Sequence, residues 1–407
     1  MTTSVYEAPM GDTDPALEAG NHPAHWSGVF AMTLCVFALV ASEFMPVSLL
    51  TPMAADLYVT EGMTGQGIAI SGAFAMVTSL FISALAGSMN RKTLLLALTA
   101  MMGLSGAIVG LAPNYFVYMV GRALIGVVIG GFWSMSAATA MRMVPAHHVP
   151  RALAIFNSGN ALAMVVAAPL GSYLGSIIGW RGAFFCLVPV AVIALTWQWI
   201  SLPSMRVGHR SDNSGNVFTL FRNPVVTLGV LGVGVFFMGQ FTLYTYLRPF
   251  LETVTRMDIS TLSLTLLVIG ITGFIGTTII GTVLKRGFYQ TLIGIPVLMA
   301  AIAVALIAFG DWTAVVVSLL GLWGFIATAA PVGWWSWVPK TFPGNAEAGG
   351  GLMVAVVQLS IALGSTLGGL LFDASGYQST FLASTALLLL ATFLIFLTSR
   401  SEAKRIA

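Results

Sequence analysis

Long, uninterrupted apolar stretches constrain this chain of 407 residues more than any other feature. A helix rises roughly 1.5 Å per residue, so about 20 apolar residues are needed to cross the ~30 Å hydrocarbon core of a bilayer. Lipid cannot satisfy exposed backbone groups, so stretches of this length are predicted to be transmembrane helices. Twelve stretches qualify, here called spans 1 to 12, and they cover approximately residues 28–52, 66–86, 93–112, 115–141, 152–178, 182–202, 224–250, 261–284, 288–309, 313–338, 348–371 and 379–398.

The composition agrees with a membrane protein and excludes several other classes. Charged residues make up 8% of the chain, whereas soluble domains carry about 25%. A net charge of +3 leaves no basic stripe for nucleic acid, so no nucleic-acid partner is expected. Cys35 and Cys186 both fall in apolar stretches, where they are interpreted as small buried hydrophobic residues and not as a disulfide or metal ligands.

The basic residues predict the orientation of the chain. If both termini are cytoplasmic, 13 of the 17 lysines and arginines fall in the inner loops and the C-terminal tail, as the positive-inside rule requires. Arg181, Arg248 and Arg256 are predicted to lie at or near outer loops. Residues 1–25 carry acids and prolines without a basic n-region, so they are interpreted as a disordered cytoplasmic tail. The predicted domains are a six-helix bundle at 26–202, a cytoplasmic linker at 203–223, a second six-helix bundle at 224–398 and a cytoplasmic tail at 399–407.

The two halves of the chain resemble one another in sequence. Gly171, Gly179 and Phe184 recur 197 residues later as Gly368, Gly376 and Phe381, and the basic pair Arg91-Lys92 is echoed by Lys285-Arg286. Parallel repeats of this kind are typical of transporters whose substrate site lies near the midplane, between the repeats. The predicted fold class is therefore an all-α membrane protein, with twelve transmembrane helices in two pseudo-symmetric six-helix bundles.

Short motifs in and between these spans resemble the major facilitator superfamily, in its drug-proton antiporter branch. The motifs are "AGSMNRK" after span 2, "GTVLKRG" after span 8, "GRALIG" in span 4 and "APLGSYLG" in span 5. Longer segments resemble the bacterial purine ribonucleoside efflux transporters, namely "SEFMPVSLLTPMA", "GGFWSMSAATAMRMVP", "VAAPLGSYLGSIIGWR", "GQFTLYTYLRP" and "PVGWWSWV". The resemblance covers essentially the whole chain after the first 25 residues.

This resemblance implies a function and a location. Members export inosine, guanosine and purine analogues across the bacterial inner membrane in exchange for protons, by alternating access. The expected protein is a monomer that needs no cofactor or metal, and its partners are a nucleoside, protons and the lipid bilayer. The chain departs from the superfamily motifs at Ala86 and Asn90, where the inner-loop pattern has Gly and Asp, and at Ala168 in span 5. The inner-loop residues Asn90, Arg91, Lys285 and Arg286 are expected to take part in gating.

Two ionisable residues inside the spans form the candidate proton-coupling site, because such residues are costly in lipid and mark function. Glu43 in span 1 lies about 14 Å from the outer end of its helix and Arg122 in span 4 about 10 Å, so the two could meet. A guanidinium favours the charged carboxylate and burial favours the neutral form, which together make a proton switch. A static ion pair is the alternative. At an offset of 195 residues, the second-half counterparts are Met238 and Val317, which are apolar, and this predicts charge machinery in the first half alone.

Aromatic and amide side chains in the spans are the candidate nucleoside contacts. A base needs an aromatic face, and its edges and ribose need amides and hydroxyls. The resemblance places spans 1, 4, 7 and 10 around the central cavity. The candidate substrate-binding residues are Trp133 and Ser136 in span 4, Asn157 and Asn160 in span 5, Gln240 and Tyr244 in span 7, Trp335 in span 10 and Gln358 in span 11.

Several of these residues have a purely structural interpretation. Asn157 and Asn160 could hydrogen-bond between helices. Trp334, Trp335 and Trp337 are typical of an aromatic belt at the membrane interface.

Three other functions remain as alternatives. The same fold could carry sugars or assorted drugs, although one buried acid with scattered amides suits a neutral polar substrate better than a lipophilic cation. A membrane-embedded enzyme lacks support because no histidine, cysteine or second acid accompanies Glu43 in the spans. An ion channel would show a charge ring or a filter repeat.

Overall fold

The computed structural model describes residues 24–86, 89–205, 223–341 and 346–406. These residues are helical almost throughout, and no β-strand occurs among them. The helices are Trp26–Leu57, Glu61–Ala86, Arg91–Gly110, Tyr115–Arg142, Val149–Phe185, Leu187–Ser201, Pro224–Tyr244, Leu247–Thr253, Ile259–Arg286, Phe288–Ala308, Thr313–Ala327, Ala330–Thr341 and Ala346–Ile406.

Ten helical segments are long and apolar enough to cross a membrane within the described part of the chain. Two of them, Val149–Ser201 and Gly350–Ala403, contain 53 and 54 residues. Each would be about 80 Å long if straight, more than twice the ~30 Å hydrocarbon core, so each carries two spans. The predicted all-α fold with twelve spans is therefore confirmed.

Each of these double spans turns at one glycine. Gly179 has φ 75° and ψ 164°, and Gly376 has φ 76° and ψ −175°. This backbone region is essentially restricted to glycine, since a Cβ atom is strained there. The two glycines are the pair that recurs at an offset of 197 residues in the sequence, so the repeat is visible in the backbone at the same place in both halves.

Alanine at position 376 is expected to lower the free energy of unfolding by about 1–3 kcal/mol through backbone strain alone. A Cβ atom there would meet no other atom within 4 Å, so steric overlap does not contribute. Gly281→Ala is the matched control, because its Cβ atom also meets nothing within 4 Å but the residue lies inside the span 8 helix. Thermal unfolding in detergent should show a lower midpoint for Gly376→Ala only. Equal midpoints for both variants would contradict the strain.

The helices form two groups, and the largest core, that of the second group, also includes Val47, Ile68 and Ala168 of the first. Spans 1 to 6 enclose residues such as Phe132 and Phe156, and spans 7 to 12 enclose residues such as Trp323 and Phe381. Below, the terminal side is the side where span 1 begins and span 12 ends, and the far side is the opposite one. The predicted tail 1–25 and linker 203–223 lie mostly outside the described residues, and the exact domain boundaries stay a prediction.

Two interpretations of apolar residues are wrong. Cys35 is buried as expected, but Cys186 is exposed at the start of span 6; both cysteines are free. Trp334 and Trp337 are buried and pack edge to face with ring centroids 6.2 Å apart, so they belong to the core of the second half and not to an interfacial belt. Position within a turn or two of a helix end does not fix which face of the helix a tryptophan occupies.

Candidate functional site

Span 1 is a helix with two gaps in its hydrogen-bond ladder. Proline has no N–H, so the carbonyl four residues earlier in the helix loses its usual donor. Pro46 and Pro52 lie inside span 1, which leaves the carbonyls of Ser42 and Ser48 without that donor. Buried polar groups need partners, and each of these carbonyls has an arginine as its donor.

Arg122 fills the first gap. Its guanidinium is completely buried and donates from Nη1 to the Ser42 carbonyl at 2.8 Å and from Nε to the Gly67 carbonyl at 3.0 Å. Nη2 donates to the Glu43 carbonyl and to the Ser71 Oγ atom, both at 3.1 Å. The charge of Arg122 is therefore held by neutral acceptors in spans 1 and 2.

The Glu43 carboxylate is held by the other half of the protein. Its Oε1 atom accepts a hydrogen bond from Gln358 Nε2 in span 11 at 3.2 Å, and the residue is 4% exposed. The ion pairs among the described residues do not include Glu43 and Arg122. The two predicted coupling residues thus meet through the backbone of Glu43, while the carboxylate joins spans 1 and 11. Their role in coupling stays a prediction.

Two amide oxygens, one in span 7 and one in span 11, are buried without a hydrogen bond. They are Oε1 of Gln240 and Oε1 of Gln358. Close to Gln240, the Tyr244 ring packs on Phe241 with centroids 6.0 Å apart, and Phe241 stacks on Phe44 of span 1 at 5.8 Å. Gln358 and Phe241 therefore lie where the halves touch, and Gln240 and Tyr244 flank Phe241 in span 7. The two amide oxygens can accept hydrogen bonds from a ligand.

The remaining candidate contacts are more scattered. Trp133 is half-buried and packs edge to face on Phe156, with ring centroids 6.2 Å apart. Asn160 is half-buried, whereas Asn157 is exposed and donates to the Leu153 carbonyl of its own helix at 2.9 Å. Trp335 is 46% exposed at the terminal side. The side chain of Ser136 lies outside the described residues. The expected role of all of them in substrate binding stays a prediction.

Asn90 has a structural role that the motif did not suggest. Its Oδ1 atom caps span 3 by accepting from the Lys92 N–H at 3.0 Å, and also accepts from the Met205 N–H at 3.1 Å. Its Nδ2 atom donates to Ser204 Oγ at 2.6 Å. Asn90 thus fastens the end of span 6 to the start of span 3. Arg91 follows directly, and Lys285 and Arg286 are exposed in the last turn of span 8; gating by these residues stays a prediction.

Sequence reasoning missed an ion pair in the second half, between a buried arginine and a partly buried glutamate. That the proton-coupling machinery lies in the first half alone stays a prediction. Arg248 is 6% exposed, and its Nε atom donates to Glu252 Oε1 at 2.7 Å. Arg248 was predicted to lie at or near an outer loop, but a short helix, Leu247–Thr253, follows span 7 and turns it inward. The four-residue spacing of an Arg and a Glu was the available signal.

Comparisons with known proteins agree with this architecture. The family model described as Major Facilitator Superfamily matches residues 32–365. A Pseudomonas aeruginosa protein named transcription regulatory protein OpdE is 68% identical over 393 residues, which are 96% of this chain and 98% of that protein. A Salmonella typhimurium protein named purine ribonucleoside efflux pump NepI is 38% identical over 371 residues, which are 91% of this chain and 93% of that protein.

Solved structures show the same fold at low sequence identity. The nucleoside transporter NupG has a TM-score of 0.75 and 12% identity, over 91% of this chain and 98% of that one. A bacterial homologue of the human lysosomal transporter Spinster, in an inward-facing and occupied conformation, has a TM-score of 0.72 and 14% identity, over 94% of this chain and 98% of that one.

Proposed function

The chain belongs to the major facilitator superfamily, and on that premise we propose that it exports purine ribonucleosides across the bacterial inner membrane in exchange for protons. Both termini would then lie in the cytoplasm. The observation that carries the proposal is the hydrogen bond from Gln358 to the buried Glu43 carboxylate, because it links a protonatable group to the contact between the two halves.

Proton coupling follows from what each state of Glu43 can bind. The carboxylate accepts a hydrogen bond from Gln358 and holds the halves together. Protonation neutralises Glu43 and makes it a hydrogen-bond donor as well, so the bond from Gln358 is no longer charge-assisted and becomes weaker. Arg122, fixed on four acceptors of spans 1 and 2, keeps this turn of span 1 in place while the proton comes and goes.

The nature of the cargo is supported by the buried acceptors of spans 7 and 11. A purine nucleoside presents N–H and O–H donors on its base and ribose, which match the unpaired amide oxygens of Gln240 and Gln358. The rings of Tyr244 and Phe241 offer apolar faces beside them. The name of the relative at 38% identity supports the same substrate class.

We expect inverted membrane vesicles that contain the protein to take up labelled inosine when an acid-inside gradient is imposed. Antiport moves protons out of the inverted vesicle as nucleoside moves in, so uptake should follow the size of the gradient. Radiolabel retained on filters measures the rate, and collapse of the gradient with a protonophore is the control. Gradient-driven uptake of a sugar or drug without inosine uptake would support proton-coupled transport but contradict the nucleoside as its substrate.

A second candidate function comes from the relative that is 68% identical, which is named a transcription regulatory protein. A chain embedded in a bilayer can change transcription by exporting a small molecule that a separate regulator senses. Transcript levels in a deletion strain should then be restored by the wild-type gene but not by a transport-deficient variant. Restoration by both would indicate a regulatory role that does not depend on transport.

A further inference from the structure

The second gap in span 1 is filled from the opposite half of the protein. Pro52 cannot donate to the Ser48 carbonyl, and Arg248 Nη1 donates to it instead. Ser48 is completely buried in span 1, whereas Arg248 belongs to the short helix after span 7. This bond therefore satisfies a backbone acceptor that the helix of the first half cannot satisfy by itself.

The two proline gaps differ in one respect that matters for transport. The Ser42 carbonyl, which lacks a helix donor because of Pro46, accepts a hydrogen bond from Arg122 of the same half, so this bond persists when the halves move apart. The Ser48 carbonyl, bared by Pro52, is served across the contact between the halves, so this bond must break when the far side opens.

The surroundings of Arg248 prepare it for this role. Its Nε atom is fixed by Glu252 one helical turn away, which directs the rest of the guanidinium toward span 1. Other bonds close the same side of the protein, since Asp373, just after span 11, accepts from Thr60 Oγ1 at 2.6 Å and from the Gly62 N–H at 3.0 Å. Arg248 differs from those contacts because it places a buried cation on a carbonyl that has no helix donor.

We propose that Pro52 and Arg248 form a far-side gate, in which the proline exposes an acceptor in one half and the arginine of the other half docks on it. Closing the gate satisfies the Ser48 carbonyl, and opening it leaves that carbonyl to water or to a passing ligand. The inference rests on the alternating access of the proposed transport function, but it does not depend on which substrate is carried.

The test measures opening of the far side in the full chain, in lipid nanodiscs without substrate. Spin labels are placed at Phe116→Cys and Asp311→Cys, exposed far-side positions in the first and second halves, with Cys186→Ser to remove the exposed native cysteine. Pulsed electron–electron double resonance gives the distribution of distances between the two labels, in which long distances report an open far side and short distances a closed one. Arg248→Gln is expected to raise the ratio of long to short distances about tenfold, because a hydrogen bond from a charged group is lost.

Pro52→Ala tests the acceptor. The new backbone N–H of residue 52 can donate to the Ser48 carbonyl, so the carbonyl no longer needs Arg248 as its donor. The closed state is then less favoured, and the long-distance population should also rise. The double variant should then open little further than Arg248→Gln alone, since both changes remove the same interaction. Pro46→Ala is the matched control, and the far-side distances should not change because its carbonyl is served within the first half.

Three outcomes would overturn the gate. The first is an unchanged distance distribution in Arg248→Gln, and the second is an equal rise in the long-distance population for Pro46→Ala and Pro52→Ala. The third is a double variant whose effect on this population is the sum of the two single effects. Arg248→Lys provides a second route if Arg248→Gln does not fold: it retains the charge near Glu252 but lacks the fork that reaches two partners, so it should open the far side partially. Inosine uptake by the wild type is scored separately, so loss of the nucleoside assignment leaves this test intact.

Discussion

Glutamine in place of Glu43 is expected to reduce gradient-driven inosine uptake to the level of vesicles without the protein. The amide has nearly the shape of the carboxylate, and its Oε1 atom can still accept from Gln358 Nε2, so the contact between spans 1 and 11 should persist. The amide cannot take up or release a proton. A defect in this variant therefore reports coupling and not loss of structure.

Exchange of inosine across the membrane separates substrate translocation from proton transfer. Vesicles preloaded with unlabelled inosine should still exchange it for labelled inosine in Glu43→Gln, because exchange needs substrate binding and the movement of the halves but no net proton transfer. Glu61→Gln is the matched control, since Glu61 is an acid in the first turn of span 2 at the far side. It should retain gradient-driven uptake. Normal gradient dependence in Glu43→Gln would exclude this residue as the coupling group.

The fold was predictable because its signals are local and repeated. An apolar stretch of about 20 residues specifies a span irrespective of its partners. The repeated glycines Gly179 and Gly376 were visible in sequence, and each lies at the reversal between two spans because only glycine tolerates that backbone. The prolines of span 1 were also visible, but the sequence supports no more than a kink, since the donor that serves a bared carbonyl comes from a distant span.

The candidate site was less predictable because depth along a helix does not specify which atom of a residue is contacted. Glu43 and Arg122 were placed at matching depth, yet the arginine contacts the backbone of Glu43 and the carboxylate contacts Gln358. Asn157 shows the same limit, as its amide bonds to its own helix. Arg248 was assigned to the region of a loop, because its four-residue spacing from Glu252 indicates a helical turn but not the burial of that turn.

Leucine in place of Gln240 is expected to raise the KM for inosine about three- to tenfold, the effect of losing one hydrogen bond to the substrate. The same change should raise the thermal midpoint of the empty protein. The Oε1 atom of Gln240 is buried without a partner, a situation that costs about 1–3 kcal/mol, and leucine removes it at similar volume.

Opposite shifts in affinity and stability distinguish a binding residue from a structural one. Gln198→Leu is the matched control: Gln198 is completely buried in the first half and accepts from Thr99 Oγ1 at 3.0 Å, away from the contact between the halves. It should leave the KM unchanged. If Gln240→Leu lowers the thermal midpoint and leaves the KM unchanged, Gln240 supports the packing of span 7 and does not bind substrate. If Gln240→Leu raises both the KM and the thermal midpoint, the unpaired oxygen of Gln240 binds the nucleoside, because the ligand then supplies the donor that the empty protein lacks.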